Sequence, residues 1–309
     1  MKAIPAFFRL IRWPNLLFIV LTQALFRYFI LPFVYLYGHE GYENIKLSNS
    51  LFFILVLASV CIAGAGYIIN DYFDVNIDLV NKSSKVIIDK FIKRRWAIVL
   101  HAVLSFAGLV LSMYVGWRLQ NILIPLFNFL AIFILLFYSG TFKKKLLIGN
   151  ILISLLTAWV ILVMTLAEYR FRLSPHDIVW QRLLKLSFIY AGFAFIISLV
   201  REVVKDMEDR EGDVKYGCTT MPIVWGIPVS KVFAGVWIVV LTGLVMAMQI
   251  YVIQLGWWFS ALYSIVTIVI PLIWVLRKLY EANTPKQFHQ LSSVIKIIML
   301  AGIISMAFF

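Results

Sequence analysis

The sequence predicts an all-α, polytopic membrane protein with nine transmembrane helices, and three observations lead to this prediction. The chain has 309 residues, of which 62% are hydrophobic and 14% are charged, whereas soluble domains carry roughly 25% charged residues. Several apolar runs reach the roughly 20 residues that a helix needs to cross a bilayer. These runs are continuous and do not alternate with polar residues, which excludes the pattern of a transmembrane β-barrel.

The apolar runs define nine predicted spans, separated by short connections rich in Gly, Pro, Asn and charged residues. They lie at roughly residues 16–37, 51–70, 96–116, 121–138, 149–168, 183–203, 231–254, 257–276 and 293–309. The first span is longer than the apolar region of a secretory signal, and no small-residue cleavage site follows it, so we interpret it as a retained helix. Residues 1–309 are therefore predicted to form a single membrane domain.

The net charge of +13 is explained by membrane orientation and does not require a nucleic-acid partner. If the N-terminus is cytoplasmic, most of the 28 Lys and Arg residues fall in the N-terminal segment and in the loops on that side. The positive-inside rule expects this asymmetry. We therefore expect an integral membrane protein whose N-terminus and active site face the cytoplasm.

Acidic residues are concentrated in two long loops predicted on the cytoplasmic side, at about residues 71–95 and 204–230. Of the 15 acidic residues, four lie from Asp71 to Asp89 and six lie from Glu202 to Asp213. Ionisable residues at membrane depth are functional candidates by default. The two acidic segments are therefore the predicted functional regions.

Both segments carry three aspartates at positions i, i+3 and i+7: Asp71, Asp74 and Asp78 in the first, and Asp206, Asp209 and Asp213 in the second. On a helix this spacing places the three carboxylates on one face. Asn70 adds an amide oxygen to the first set. Because Mg²⁺ takes carboxylate ligands and completes its shell with substrate phosphate oxygens, the spacing favours two Mg²⁺ ions around one diphosphate. The alternative is a solvated helix end balanced by loop lysines.

Basic residues accompany both aspartate sets. Arg201 and Lys205 precede Asp206, and Lys82 and Lys85 follow the first set. Arg binds phosphate through its bidentate fork and Lys binds it as a point charge. These four residues are predicted to contact a diphosphate, with simple neutralisation of the acids as the alternative.

Several motifs together resemble the UbiA superfamily of intramembrane prenyltransferases. The stretch "NDYFDVNID" matches the family's NDxxDxxxD, and "DMEDREGD" matches its second aspartate motif. "GDVKYGCTTMPIVWG" resembles the stretch that follows in the family. "RWPN", which contains Asn15, resembles the start of the family's first helix, and "YSGTFKK" resembles its inner loop through Tyr138 and Lys143. The resemblance extends over the whole chain.

The resemblance implies nine helices around a central cavity that faces the cytoplasm, and a reaction between a prenyl diphosphate and a lipophilic acceptor among membrane lipids. The implied metal ligands are Asn70, Asp71, Asp74, Asp78, Asp206, Asp209 and Asp213. The implied catalytic residues are Asp71, Asp74, Asp206, Asp209, Tyr138 and Lys143. The implied substrate-binding residues are Asn15, Asn70, Lys82, Lys85, Arg201 and Lys205.

Within the superfamily, "REVVKDMEDREGD" looks most like the archaeal-type geranylgeranylglycerol-phosphate geranylgeranyltransferases, which form the second ether bond of isoprenoid glycerolipids. The loop "NKSSKVI" departs from the proline-containing stretch of many members, and this leaves the acceptor open. An aromatic-acceptor prenyltransferase of quinone or haem biosynthesis uses the same aspartates. A cation-coupled transporter is the distant alternative. Transporter sites usually lie near the bilayer midplane on broken helices, whereas these acidic clusters lie at the ends of predicted spans.

Two polar residues within predicted spans, Gln23 and Asn128, are expected to hydrogen-bond to neighbouring helices. Aromatic faces can stabilise the positive charge that develops on an allylic prenyl group. Tyr67, Tyr72 and Tyr138 are the candidates for that role.

Overall fold

The computed structural model describes residues 3–38, 44–81, 86–169 and 177–309. Regular structure in these ranges is helical, apart from a bridge between Ile88 and Ile92. The all-α prediction is confirmed.

Thirteen α-helices occur in the described ranges. They are α1 Ala3–Leu10, α2 Trp13–Leu25, α3 Leu31–Tyr37, α4 Asn49–Asn81, α5 Arg94–Arg118, α6 Leu123–Gly140, α7 Ile148–Glu168, α8 Ile178–Lys215, α9 Met221–Val224, α10 Gly226–Gln254, α11 Trp258–Ser264, α12 Ile270–Glu281 and α13 Pro285–Ile304. Short π-helical turns at Phe26–Ile30 and Ile265–Val269 join α2 to α3 and α11 to α12. In each case a proline follows the turn at the start of the next helix, where its missing N–H is tolerated.

Nine helical segments within the described residues are long and apolar enough to cross a membrane. Each segment overlaps one of the nine predicted spans, because continuous apolar runs of this length are the strongest helix signal in a sequence. The number of transmembrane helices is therefore confirmed. The cytoplasm-facing cavity and the single domain stay predictions.

The ends of two predicted spans are wrong. The sequence pattern predicts that the second and sixth spans end near residues 70 and 203 and that loops follow, but α4 continues to Asn81 and α8 to Lys215. Neither extension contains Pro, and Gly212 is the only glycine in either, so no strong helix breaker interrupts the backbone. As a result, both aspartate sets lie on helices.

The Cα packing divides the chain into two compact units, and the first comprises residues 1–142 and 159–188. In this unit α4 packs against α5 and α6 through glycines. A Cβ added to Gly108 would lie 2.7 Å from Ile62 Cγ1, and one added to Gly66 would lie 2.8 Å from Leu135 Cδ2. Small residues allow membrane helices to approach closely, so these glycines fix the position of α4.

The end of α4 that carries the first aspartates is packed within the first unit. Ala6 and Leu10 of α1 are buried in one cluster with Ile68 and Val75 of α4 and with Ile88 from the segment before α5. This cluster places the turn between α1 and α2 beside the aspartates.

The second unit comprises residues 143–158 and 189–309. Its core consists of fully buried aliphatic side chains, among them Val200 and Val204 of α8, Ile238 of α10, Leu272 of α12 and Ile295 of α13. The apolar face of α8 therefore packs against this core, and the second aspartate set lies on its polar face.

Two buried polar side chains join helices within the first unit, as predicted. The Asn128 side chain donates to Ser112 Oγ (2.8 Å) and accepts from Trp159 Nε1 (2.9 Å). Gln23 Nε2 donates to Ser59 Oγ (3.0 Å) and to the Val160 carbonyl (3.2 Å).

Candidate active site

The first aspartate cluster, Asn70, Asp71, Asp74 and Asp78, lies in the last three turns of α4. Asn70 Nδ2 donates a 2.8 Å hydrogen bond to Oδ2 of Asp74, one helical turn further on, and Asp74 is buried. This bond turns the amide so that Asn70 Oδ1 is a buried oxygen without a hydrogen-bond partner. An unsatisfied buried oxygen is costly unless a ligand completes it, so Asn70 Oδ1 is a candidate ligand atom.

A cation from the start of the chain contacts the first cluster. Arg12 Nη2 donates to Asp71 Oδ1 at 2.6 Å, and its guanidinium lies 5.3 Å from the centre of the Tyr67 ring. Arg12 adopts a left-handed backbone conformation (φ 51°) at the turn between α1 and α2, which directs the chain into the second helix. Desolvation by burial lowers the pKa of Arg12, but the attraction of Asp71, Tyr67 and Asp74 and the hydrogen bond to Asp71 together outweigh it. The pKa is raised, so the guanidinium stays charged.

The second aspartate cluster, Asp206, Asp209 and Asp213, lies in the last three turns of α8. Asn150, a buried residue in the first turn of α7, donates from Nδ2 to Asp206 Oδ2 at 2.8 Å. Asp213 is buried and Asp209 is half-buried. The amide of Asn150 fixes one carboxylate oxygen of Asp206 and leaves the other to a ligand.

Glu202 adds a fourth carboxylate to this face of α8, one turn before Asp206. Lys205 Nζ donates to both Glu202 oxygens, at 2.9 and 3.1 Å, and Arg201 Nη1 donates to one of them at 3.2 Å. Two of the four cations predicted as diphosphate contacts are thus paired with Glu202.

The segment after the second cluster begins with a glycine helix cap. Gly217 has a φ of +67°, its N–H donates to the Val214 carbonyl, and the Cys218 N–H donates to the Asp213 carbonyl. This is a Schellman motif, which ends α8 at Lys215, two residues after Asp213. The Thr219 N–H and hydroxyl then donate to the Lys144 carbonyl, at 2.7 and 3.0 Å.

The remaining predicted site residues are distributed over several elements. Asn15 lies in the first turn of α2, Tyr138 lies near the end of α6, and Lys143 lies in the short 3₁₀ turn Phe142–Lys144; all three are half-buried. Lys82 and Lys85 are outside the described residues.

A family model for UbiA prenyltransferases matches residues 16–296. This chain belongs to the UbiA prenyltransferase family. The match covers both aspartate clusters, Asn150 and the Gly217 cap, so the resemblance predicted from the motifs is confirmed.

Relatives in this family include proteins named digeranylgeranylglyceryl phosphate synthase. The chain is 34% identical over 191 residues to the one from Methanothermobacter thermautotrophicus, and the matched region covers 59% of each chain. It is 31% identical over 263 residues to the one from Methanobrevibacter smithii, which covers 82% of this chain and 85% of the relative.

Solved structures of this family share the fold along almost the whole chain. One, from work on digeranylgeranylglyceryl phosphate synthase in membranes, has a TM-score of 0.63 and 23% identity, and the match covers 99% of both chains. A second, a UbiA homologue from Archaeoglobus fulgidus bound to DMAPP and Mg²⁺, has a TM-score of 0.55 and 15% identity, with 97% of this chain and 99% of that chain covered. The UbiA chain is thus an integral, multi-pass membrane prenyltransferase by family and by the nine apolar helices among its described residues.

The donor atoms of the UbiA aspartate clusters fit Mg²⁺. They are carboxylate and amide oxygens, which are the hard ligands that this ion takes, and Asn70 Oδ1 is buried without a hydrogen-bond partner. Within the described part of the chain, no group of three or more His, Cys, Asp or Glu side chains is arranged so that it could hold a metal ion by itself. Mg²⁺ commonly uses one or two carboxylates and takes its other ligands from phosphates and water, so the arrangement suits an ion that binds with its substrate.

Sequence reasoning missed the contributions of Asn150 and Glu202. Asn150 is 56 residues from Asp206, and its only sequence signal is that it is a polar residue in an apolar span. Glu202 could have been found, since it extends the carboxylate spacing of the second cluster by one further turn, at i−4 from Asp206.

Proposed function

We propose that this enzyme transfers a geranylgeranyl group from its diphosphate to the free hydroxyl of a prenylglycerol phosphate, and so forms an ether lipid. The observation that carries this proposal is the 31% identity, over 82% of the chain, to the Methanobrevibacter smithii protein named digeranylgeranylglyceryl phosphate synthase. That name describes a glycerol phosphate with two geranylgeranyl chains. The acceptor we infer is therefore the glycerol phosphate that already carries one chain.

In this proposal the prenyl diphosphate binds together with two Mg²⁺ ions. Asn70, Asp71 and Asp74 would hold an ion at the first cluster, and Asp206 and Asp209 would hold one at the second. Bound Mg²⁺ would neutralise the negative charge that develops on the departing diphosphate. The solved Archaeoglobus fulgidus homologue with DMAPP and Mg²⁺ supports this choice of cofactor and donor.

The reaction breaks the C1–O bond between the prenyl chain and its diphosphate and forms an ether bond from C1 to the acceptor oxygen. The acceptor hydroxyl loses its proton to a motif carboxylate, and pyrophosphate leaves. Arg201 and Lys205 attract the phosphate groups, and Glu202 keeps these two cations in place. The position of the site in the membrane keeps water from capturing the electron-poor prenyl carbon.

We also propose that the aspartate clusters and the N-terminus lie on the cytoplasmic side. Lys and Arg residues are concentrated in the segments that this orientation places in the cytoplasm, as the positive-inside rule expects. Labelling of single-cysteine variants in intact cells, with Cys61 and Cys218 replaced by Ser, tests the orientation. Lys145 and Arg118 are both exposed, and the proposed orientation places them on opposite sides of the membrane.

A membrane-impermeant thiol reagent should modify Arg118→Cys in intact cells. It should modify Lys145→Cys only after the membrane is permeabilised. The reverse pattern would place the aspartate clusters outside the cytoplasm, and this would contradict the proposed orientation without affecting the proposed reaction.

The function is tested with purified protein in lipid nanodiscs and geranylgeranyl diphosphate as donor. Geranylgeranylglyceryl phosphate and 4-hydroxybenzoate are offered as competing acceptors, with and without Mg²⁺, and products are identified by mass spectrometry. We expect the diether phosphate, formed only when a divalent cation is present. A prenylated aromatic product alone would instead assign the enzyme to quinone-type chemistry, and no product with any acceptor would contradict the proposal as a whole.

A further inference from the structure

Each aspartate cluster contains a hydrogen bond from an asparagine amide to an aspartate, although only the first sequence motif includes an asparagine. In each, an asparagine amide donates a 2.8 Å hydrogen bond to Oδ2 of one aspartate: Asn70 to Asp74, and Asn150 to Asp206. Asn70 is part of the first motif itself. The second motif has no asparagine of its own, and Asn150 comes from another helix, α7.

We propose that Asn150 is a positioning residue for the second cluster, equivalent to Asn70 in the first, and that it fixes the Asp206 carboxylate for binding of a divalent cation. This inference rests on the proposed function, because it assigns Asp206 to a metal. It adds a residue that the aspartate motifs do not contain.

The placement of Asn150 is well defined within the second unit. Asn150 is 7% exposed, and its own carbonyl accepts a 2.7 Å hydrogen bond from Ser154 Oγ on the same helix. Thr157 and Ser198 join α7 to α8 at 3.2 Å, two turns further along α7. The two helices are thus held by a separate contact, and the Asn150 amide is not needed to join them.

The chemistry of the pair favours positioning. The χ2 angle of an aspartate has a broad energy profile, so its carboxylate turns unless a neighbour fixes it. A hydrogen bond to a charged oxygen is among the stronger ones in proteins, and Asn150 supplies it to Oδ2. Oδ1 of Asp206 is then held in a constant direction, as hydrogen-bond partners hold metal-binding carboxylates in other proteins.

A purely structural role for Asn150 predicts a different result from a positioning role. A buried amide that only joins two helices would, when removed, lower the stability and leave the metal dependence unchanged. A positioning residue would change the metal dependence of a protein that is still folded. The test therefore measures cation binding directly, apart from turnover.

The experiment compares Asn150→Ala and Asn150→Asp with wild type and with Ser154→Ala as matched control. Ser154 is buried on the same helix one turn away, and its hydroxyl donates to the Asn150 carbonyl and not to a carboxylate. Binding of Mn²⁺ to purified full-length protein, in the presence of a non-reactive geranylgeranyl diphosphate analogue, is followed by electron paramagnetic resonance. Thermal unfolding in detergent reports whether each variant is folded.

We expect the half-saturating Mn²⁺ concentration to rise about tenfold to a hundredfold in Asn150→Ala, the range found when a hydrogen-bond partner of a metal ligand is removed. Asn150→Asp keeps the shape of the side chain and replaces the donor with a second carboxylate, so it should not restore the wild-type value. Ser154→Ala should bind Mn²⁺ as wild type does.

Wild-type Mn²⁺ affinity in both Asn150 variants overturns the inference and leaves the proposed function intact. The same loss in Ser154→Ala overturns it as well, because the effect would then come from the packing of α7. A wild-type protein that neither binds Mn²⁺ nor transfers a prenyl group contradicts the proposed function, and the inference with it.

Discussion

The two aspartate clusters have the same carboxylate spacing but are held in opposite ways. In the first, the asparagine is local to the helix and the cation is remote: Asn70 is four residues from Asp74, and Arg12 is 59 residues from Asp71. In the second, the cations Arg201 and Lys205 are local, and the asparagine is 56 residues from its aspartate. One amide and at least one cation are thus present at each cluster. At each cluster one kind of group comes from nearby residues of the same helix and the other from a distant segment of the chain.

The difference lies in which carboxylate the cation occupies. At the first cluster Arg12 is bonded to Asp71, an aspartate of the motif. At the second, both cations are bonded to Glu202, which is outside the motif. A metal at the first cluster must therefore share Asp71 with Arg12. At the second cluster Glu202 binds the cations, and the motif aspartates are left to bind the metal.

Removal of the first aspartate of each motif tests whether the clusters are equally necessary. In Asp71→Asn and Asp206→Asn we expect kcat/KM to fall by more than about a hundredfold. Loss of a residue that only hydrogen-bonds to a metal ligand lowers activity about tenfold to a hundredfold, and loss of the ligand itself should cost more. Prenyl transfer is measured at saturating Mg²⁺. Asp89→Asn is the control, since Asp89 is exposed and paired with Arg94 outside both motifs. Survival of full activity in either motif variant would show that this cluster holds no essential metal.

Arg12 tests the remote cation of the first cluster. We expect Arg12→Ala to lower kcat/KM about tenfold, since hydrogen bonds to charged groups are worth roughly 1.5–3 kcal/mol and Asp71 would lose its 2.6 Å bond to Arg12. Arg12→Lys should recover part of the loss, because it keeps the charge without the planar fork. Arg9→Ala is the matched control, an exposed arginine on α1. If the Arg9 variant loses as much activity, the net charge of the N-terminal segment is the cause and the contact with Asp71 is not.

Glu202 tests the local cations of the second cluster, with a smaller expected effect. In Glu202→Gln we expect the KM for the prenyl diphosphate to rise by up to about fivefold with kcat nearly unchanged, as suits part-exposed ion pairs worth roughly 0.2–1 kcal/mol. Steady-state kinetics at two salt concentrations measure this. Glu208→Gln is the control, because Glu208 is on the same helix and pairs with His289 instead. A lower KM would mean that Glu202 neutralises Arg201 and Lys205 and does not position them.

The features that could be predicted are those encoded by a pattern within one continuous stretch of sequence. The nine spans follow from uninterrupted apolar runs, and the aspartate faces follow from a spacing within one helix. The predicted ends of α4 and α8 are too early, because polarity ends an apolar run without ending the helix that carries it. Polar side chains do not break a helix, and α8 ends only at the cap formed by Gly217.

The contacts that the sequence did not reveal join distant segments. The pairs Arg12–Asp71 and Asn150–Asp206 depend on how α1 and α7 pack, and no local spacing encodes this packing. A polar residue within an apolar span indicates that some partner exists, as it correctly did for Asn128. It does not identify the partner, and for Asn150 the partner is a motif carboxylate.

Glu168 is a buried acid outside both clusters, and we interpret it as a structural carboxylate. Its side chain accepts hydrogen bonds from the Tyr35 hydroxyl (2.8 Å) and from the backbone N–H groups of Lys46 and Leu47 (both 2.9 Å). It thereby joins the end of α7 to the segment that leads into α4. The acid is satisfied by neutral donors in these contacts, whereas a cation pairs with Asp71 in the first cluster and with Glu202 beside the second.

We expect Glu168→Gln to leave kcat/KM unchanged and to lower the free energy of unfolding by about 2 kcal/mol, because the new NH₂ group would face a backbone N–H that then lacks an acceptor. Catalysis should be spared, since Asp71 lies 22 residues from the start of α4, which is about 33 Å along a helix. Thermal unfolding in detergent and the prenyl-transfer assay measure the two quantities. Tyr35→Phe, which removes one of the three donors, should show a smaller loss of stability. A Glu168→Gln protein that is stable but inactive would mean that this acid acts in the reaction, and the presence of a paired cation would no longer separate catalytic from structural carboxylates.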